Sequence, residues 1–442
     1  MKKLTLGIIA AALSLSAAAQ TSEPCGFTKV LDYYRNADPT FQQRFEETFA
    51  TENRSASKST GTIYRIPVVF HVVYNVAKQN LHDSVIMNQL QILNQAFRHT
   101  HSDTDKLRPM FKPLAGDAEI EFYMATIDPD GKPTTGITRT QTSIVSFADI
   151  VNDPTLFNYM ERVKKSASGG IDPWPTNRYM NIWIADLEDV TYKQPVLAGY
   201  ATPPTNPIPP NWQGFQWPPL GDGVVMHYQV VGNNNPHKAV SGHAGRNCVH
   251  EVGHFLGLRH IWGDPQDPAD TCGSKADDGI ADTPPQAAAS DINASDCTPY
   301  ANQNTCGAGM PGDMPDLWEN YMDYSNDKCQ NMFTVGQTTH MRSILTNQRV
   351  TLTYPLAVSD YTLADETFDI YPQPASNTVY VQYDGVIKQL NITDMMGRNV
   401  LSFTNNEANV KSYDVSKLST GNYIVSLQTD NNIMTRRILI QR

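Results

Sequence analysis

His250-Glu251-Val252-Gly253-His254-Phe255-Leu256-Gly257-Leu258-Arg259-His260 puts three imidazoles and one carboxylate into a single short run. Residues four apart on an α-helix share a face, so His250 and His254 can turn their rings toward one point. Glu251 follows the first of them, where it can stand beside a metal-held water without ligating and act as its general base. A helix continuing past His254 would carry His260 away along its axis. Gly257 accepts the left-handed conformation that ends a helix and turns the chain back, so His260 can close a three-histidine site. Three neutral nitrogen ligands leave a fourth zinc position for water, whose pKa the metal lowers to roughly 7.

Other elements must hold this run in place. Ile66-Pro-Val-Val-Phe-His-Val-Val-Tyr74 is an apolar, β-branched stretch expected of a buried strand, and Ile86, Leu90, Leu93 and Phe97 fall at helical spacing. Asn181–Ala185 and Gly223–Tyr228 read as further strands. The order strand, helix, strands and then the histidine helix suits an α/β lobe. His71, His227 and His243 read as structural or surface residues, since the motif already supplies three ligands. The Pro-rich stretch Ala201–Pro219, with Trp212, Phe215 and Trp217, reads as a long surface loop. Beyond about Tyr361 short alternating segments separated by Asn, Asp and Gly turns indicate a β-sandwich without a catalytic constellation.

A chain of 442 residues has room for two or three domains. Its formal net charge of -11, with no Lys or Arg cluster, argues against nucleic acid as a partner. Met1-Lys2-Lys3, the apolar run Leu4 to Leu15 and Ala17-Ala18-Ala19 read as a secretory signal peptide over residues 1–19. That run is too short to span a membrane, and no other apolar stretch approaches 20 residues. Residues 20–60 are polar and end in Thr51–Gly61, a composition suited to an exposed linker that proteases could nick, and the segment reads as a propeptide. An exported protein can keep disulfides. Cys272, Cys297, Cys306 and Cys329 permit three pairings, and Cys25 and Cys248 remain.

The histidine run, together with Asn320-Tyr321-Met322-Asp323-Tyr324 and Asp277-Asp278-Gly279-Ile280-Ala281-Asp282-Thr283-Pro284, resembles the pappalysin (ulilysin-like) branch of the metzincins over about residues 60–345. The resemblance implies an α/β metzincin catalytic domain, residues 61–355, with a twisted sheet and a zinc-binding active-site helix. It implies a zinc-dependent endopeptidase acting on proteins, with Met322 packed beneath the metal and Tyr324 near it to stabilise the tetrahedral intermediate. It also implies disulfides Cys272–Cys306 and Cys297–Cys329, and calcium held among Asp264, Asp267, Asp270, Asp277, Asp278 and Asp282. Cys25-Gly26 resembles a cysteine switch, in which a propeptide thiolate fills the open zinc position; the alternative is a Cys25–Cys248 pair.

Tyr371-Pro-Gln-Pro-Ala-Ser-Asn377, Asp394-Met-Met-Gly-Arg398, Leu418–Tyr423 and Arg436–Arg442 resemble the C-terminal sorting domain of the type IX secretion route. This implies an all-β, immunoglobulin-like sandwich over residues 362–442, the secretion machinery as a partner, and a secreted or cell-surface location reached through the periplasm. Relatives that cleave before Arg or Lys carry an acidic residue immediately before the last cysteine, where this chain has Lys328, so a weaker basic preference is expected. A secreted adhesin with a purely structural zinc site is the alternative from another class. The intact Glu251 argues against it, because a structural site needs no general base.

Overall fold

Ile66 to Val73 carries almost no polar alternation, the pattern of a strand covered on both faces, and it becomes the centre of a sheet. The computed structural model describes residues 25–49, 61–148, 157–189, 196–205, 221–238, 243–263, 271–272, 277–290, 296–297, 303–307, 313–353, 368–383, 386–394, 399–404, 411–429 and 433–442. The chain runs α1 (Phe27–Ala37), α2 (Phe41–Glu46), β1 (Tyr64–Tyr74), α3 (Asp83–Phe97), β2 (Ile120–Met124), β3 (Ile137–Gln141) and the short α4 (Phe157–Met160). It continues through β4 (Met180–Ala185), β5 (Gly199–Ala201), β6 (Val224–His227), α5 (Asn247–Phe255) and α6 (Val335–Asn347).

β1 takes β2 and β3 in parallel along one side, and β4 in parallel along the other with Val68 opposite Met180. β4 pairs β6 in parallel, β6 pairs β5 antiparallel, and β5 is left as an outer strand. The result is a mixed sheet in an α/β arrangement. One face is covered by α3, through Ile86, Leu90, Leu93 and Phe97, and by α5, through Val249, Val252 and Phe255; all join Ile182, Ile184 and Met226 in one core. α6 adds Met341 and Leu345 to this core. It starts with a reciprocal cap, in which Gln337 N–H donates to Thr334 Oγ1 (3.1 Å) and Thr334 N–H to Gln337 Oε1 (2.9 Å).

The opposite face is covered by part of the polar segment read as a propeptide. Phe27, Val30, Leu31 and Tyr34 of α1 and Phe41 and Phe45 of α2 are buried in a second core with Trp183, Tyr200 and Val225 of the sheet. Their spacing is a helical stripe that the polar average of the segment conceals. Burying each Phe ring contributes roughly 1.5–3 kcal/mol, so this segment is held in place by packing. Residues 1–24 and 50–60, with the signal peptide and the nickable stretch, lie outside the described residues, as does most of the Pro-rich loop, 206–220.

The C-terminal region is all-β. It comprises β7 (Asp369–Tyr371), β8 (Thr378–Gln382), β9 (Gln389–Asp394), β10 (Asn399–Thr404), β11 (Lys411–Asp414), β12 (Gly421–Gln428) and β13 (Ile433–Ile440). One antiparallel sheet has the order β10-β9-β12-β13 and the other β11-β8-β7. Val379 and Val381 from one sheet meet Leu390, Ile392, Val425 and Leu427 from the other in a common core.

Candidate metal centre

α5 presents His250 and His254 one turn apart, and its end is built as the glycine requires. Gly257 has φ +91°, Leu258 N–H donates to Gly253 O (3.0 Å), and Gly257 N–H donates to His254 O (2.9 Å). This is the six-to-one and five-to-two pairing of a Schellman cap. A Cβ at position 257 would also stand 2.9 Å from His340 Nε2. The reversal brings His260 back, so that the three Nε2 atoms lie 3.0 Å (His250–His254), 3.2 Å (His254–His260) and 3.3 Å (His250–His260) apart.

Protons cannot explain this convergence. His250 Nδ1–H donates to Tyr321 O (2.7 Å) and His254 Nδ1–H to Leu258 O (2.8 Å), which leaves a lone pair on each Nε2, pointed inward. Ligands at 2.0–2.1 Å from a tetrahedral zinc stand about 3.3 Å from one another, so the histidine set fits the ion. His260 stacks on Trp262 with centroids 4.4 Å apart and planes 3° from parallel. Beneath the ligands, Met322 packs on Gly253, where a Cβ would meet its sulfur at 2.5 Å. Tyr324 stands at the side, its ring 4.7 Å from that of His260 and 5.7 Å from that of His250.

A candidate fourth donor comes from the N-terminal segment. Cys25 Sγ and one nitrogen from each of His250, His254 and His260 all lie within 4.8 Å of one another, and all four residues are buried. Cys25 bridges to Gly199 of β5 in the parallel sense, and Gly26 N–H donates to Gly199 O (2.9 Å). Phe27 N–H donates to Cys25 Sγ (3.3 Å). Phe27 also stacks on His254, centroids 3.7 Å apart and planes 7° from parallel. Tyr324 Oη–H donates to Cys25 O at 3.4 Å. Glu251 is fully buried; burial pushes its carboxyl up to about 8, and a hydrogen bond from the Cys25 side chain works against that rise.

The remaining expected residues sort as follows. The alternative Cys25–Cys248 pair is overturned: no disulfide joins them, and Cys248 lies in the core on the other side of the sheet from Cys25's cluster. Bonds join Cys272 to Cys306 and Cys297 to Cys329. His71 bonds to Thr138 and Asn181, His227 to Leu187 N–H and Gln229, and His243 to Asp327 (2.9 Å). Lys328 is exposed. Asp264, Asp267 and Asp270 lie outside the described residues; Asp282 caps α6 through Thr334 Oγ1 (2.7 Å) and Gly336 N–H (2.8 Å), and Asp277 accepts from Gly279 N–H (2.6 Å). Asp278 is buried, which holds its carboxyl well above the usual range. Sequence reasoning missed Phe27, Trp262, Gly199 and the Tyr321 carbonyl. Phe27 and Trp262 were open to discovery as aromatics two residues from ligands, whereas a carbonyl or a bare glycine leaves no signal of that kind.

Residues 226–346 match the family described as pregnancy-associated plasma protein-A, and residues 369–441 match the secretion system C-terminal sorting domain. The chain is 40% identical over 97 residues to an extracellular metalloprotease of Arthroderma otae, covering 22% of this chain and 30% of that protein. It is 33% identical over 154 residues to one of Uncinocarpus reesii, covering 35% and 45%. The chain thus spans less than half the length of these curated relatives. Among solved structures, a promirolysin mutant of Tannerella forsythia superposes with TM-score 0.60 at 37% identity, over 75% of this chain and 97% of that one. Mature mirolysin of the same organism, in complex with a cleaved peptide, gives 0.54 at 40% identity, over 67% and 97%.

Gly253→Ala tests the packing beneath the ligands by its sign. Helix propensity alone would raise stability by about 1 kcal/mol. The 2.5 Å approach to Met322 predicts a net loss instead, together with weaker zinc retention on dialysis. A gain in unfolding midpoint with unchanged metal content would show that Met322 does not bear on the helix.

Proposed function

The chain belongs to the pappalysin family of metzincin zinc metalloproteases, and from that premise we propose that it is a secreted zinc-dependent endopeptidase made as a latent zymogen. The observation that carries the reading is the buried set Cys25, His250, His254 and His260 with Glu251 beside it. Zinc, when bound, supplies Lewis acidity toward a water and a peptide carbonyl. His250, His254 and His260 would hold it through Nε2. Glu251 takes a proton from the attacking water and hands it to the leaving amine, a role worth roughly 10²–10⁴ in rate. Tyr324 donates its hydroxyl proton to the substrate carbonyl oxygen as charge develops there, much as it now faces the carbonyl of Cys25.

Latency follows from what covers the centre. Cys25 Sγ would fill the fourth zinc position, and Phe27 shields His254 from solvent. Residues 1–19 are read as signal peptide, 20–60 as propeptide, 61–355 as catalytic domain and 362–442 as an immunoglobulin-like sorting sandwich, for which the secretion-system match and the two packed sheets are the support. That tail makes the secretion machinery a partner and the location extracellular or cell-surface. No helix among the described residues is long and apolar enough to cross a membrane. Calcium is retained in the proposal, with buried Asp278 as the carboxylate a cation would relieve.

Glu251→Ala is expected to lose hydrolysis by at least about 10²-fold while keeping zinc, and a broad chelator to abolish it in the wild type. A calcium-selective chelator should lower the melting temperature before activity falls. Unchanged proteolysis in Glu251→Ala would remove the mechanism. Specificity after the scissile bond is expected to depart from a strong basic preference, because Lys328 is exposed while the Asp327 carboxylate is engaged by His243 and by Ala244 N–H (2.7 Å). Profiling a peptide library would read this directly, and strong Arg selectivity at that position would refute the role given to Lys328.

A further inference from the structure

The N-terminal segment fills more than the metal centre. Tyr34 of α1 is 1% exposed, its ring stacked on Phe41 with centroids 4.9 Å apart, and its hydroxyl bonds to the side chain of Thr202. Thr202 Oγ1–H already donates to Gly221 O (2.8 Å), so it accepts and Tyr34 donates. Behind the phenol lie two closed ion pairs, Lys164–Glu161 at 2.7 Å and Arg349–Asp222 at 2.9 Å, with all four side chains buried. Each pair is anchored independently of α1. Lys164 Nζ donates to Gly221 O (2.6 Å), Tyr200 Oη–H to Glu161 (2.9 Å), and Arg349 Nε–H to Phe255 O (2.9 Å) at the end of the histidine helix.

Phe41 leaves with the N-terminal segment, whereas the acceptor for the Tyr34 hydroxyl and the ion pairs behind it belong to the catalytic part, and they adjoin the strand that faces the general base. A Cβ on Gly199 would stand 3.0 Å from Glu251 Cγ, which fixes where the reacting peptide bond must lie along β5. Thr202 comes three residues later, just past the end of β5, about 10 Å farther along at strand spacing. A substrate added to this edge in the antiparallel sense, the stronger of the two ladders, puts residues N-terminal of its scissile bond alongside Thr202.

We infer that the pocket occupied by Tyr34 is a substrate subsite of the activated enzyme, selecting a tyrosine two or three positions N-terminal of the scissile bond. The inference rests on the proteolytic reading above. The charges of the floor are already paired, so a cationic or anionic side chain finds no counter-ion there and would lose hydration on entry. An aromatic ring fills the space beside Tyr200, and the Thr202 hydroxyl offers one acceptor to a phenol. A site with a single fixed acceptor distinguishes Tyr from Phe by a modest factor, and either from Ala by a larger one.

The test uses the full chain after activation and peptides identical except for Tyr, Phe or Ala at each of the two upstream positions. At one of them kcat/KM is expected to fall roughly five-fold from Tyr to Phe and by more than about ten-fold from Tyr to Ala. Thr202→Val should erase the Tyr-over-Phe ratio and leave Phe-over-Ala, while Thr202→Ser restores it. These are ratios within one preparation, so the folded fraction does not affect them. Normal cleavage with equal rates for Tyr, Phe and Ala at both positions would overturn the subsite and leave the proteolytic reading standing. No cleavage of any peptide would bring down both.

Discussion

Two imidazoles whose other nitrogens donate to carbonyls leave lone pairs aimed at a third ring from about 3 Å, and that arrangement is stable only around a cation. Much of the catalytic half of the chain serves this convergence. The sheet supports α5 from one side, the Schellman turn at Gly257 returns His260, and Met322 supports the helix from beneath. The Asn320–Tyr324 turn acts twice, since the carbonyl of Tyr321 orients His250 and the ring of Tyr324 borders the site. A site held so tightly needs little reorganisation when charge develops in it.

The same rigidity explains how a short N-terminal segment can keep the centre closed. β5 is an outer strand with backbone groups to offer, and Cys25 and Gly26 take the place along it that faces Glu251. Phe27, Tyr34, Phe41 and Phe45 then bury a stripe of aromatic surface against the catalytic part. In the proposed latent form, packing would supply the affinity and sulfur the block. The segment runs parallel to β5 at Cys25, opposite in direction to the substrate register inferred above, in which case its peptide bonds would not present the geometry that hydrolysis requires.

Much of this was legible in the residues themselves. The helix face, the turn at Gly257 and the central strand at Ile66–Val73 express their structure through local chemistry, so spacing alone places them, whereas Met322 and Tyr324 were placed by the family resemblance. The N-terminal helices were not legible from composition, because an amphipathic stripe such as Phe27, Leu31 and Tyr34 disappears in a polar average. Pairings across the chain were equally hidden. Nothing in the sequence places Cys25 beside residues more than two hundred positions away, or sends Tyr34 to a floor assembled from Glu161, Lys164, Asp222 and Arg349; such contacts exist only once the sheet has formed.

The central claim is that one sulfur from the N-terminal segment completes the histidine site in the latent chain. X-ray absorption at the zinc edge measures it most directly. The account predicts three nitrogen scatterers at about 2.0–2.1 Å and one sulfur at about 2.3 Å in the unprocessed protein, with the sulfur replaced by oxygen after activation. A latent, fully zinc-loaded chain whose shell contains only nitrogen and oxygen would contradict it.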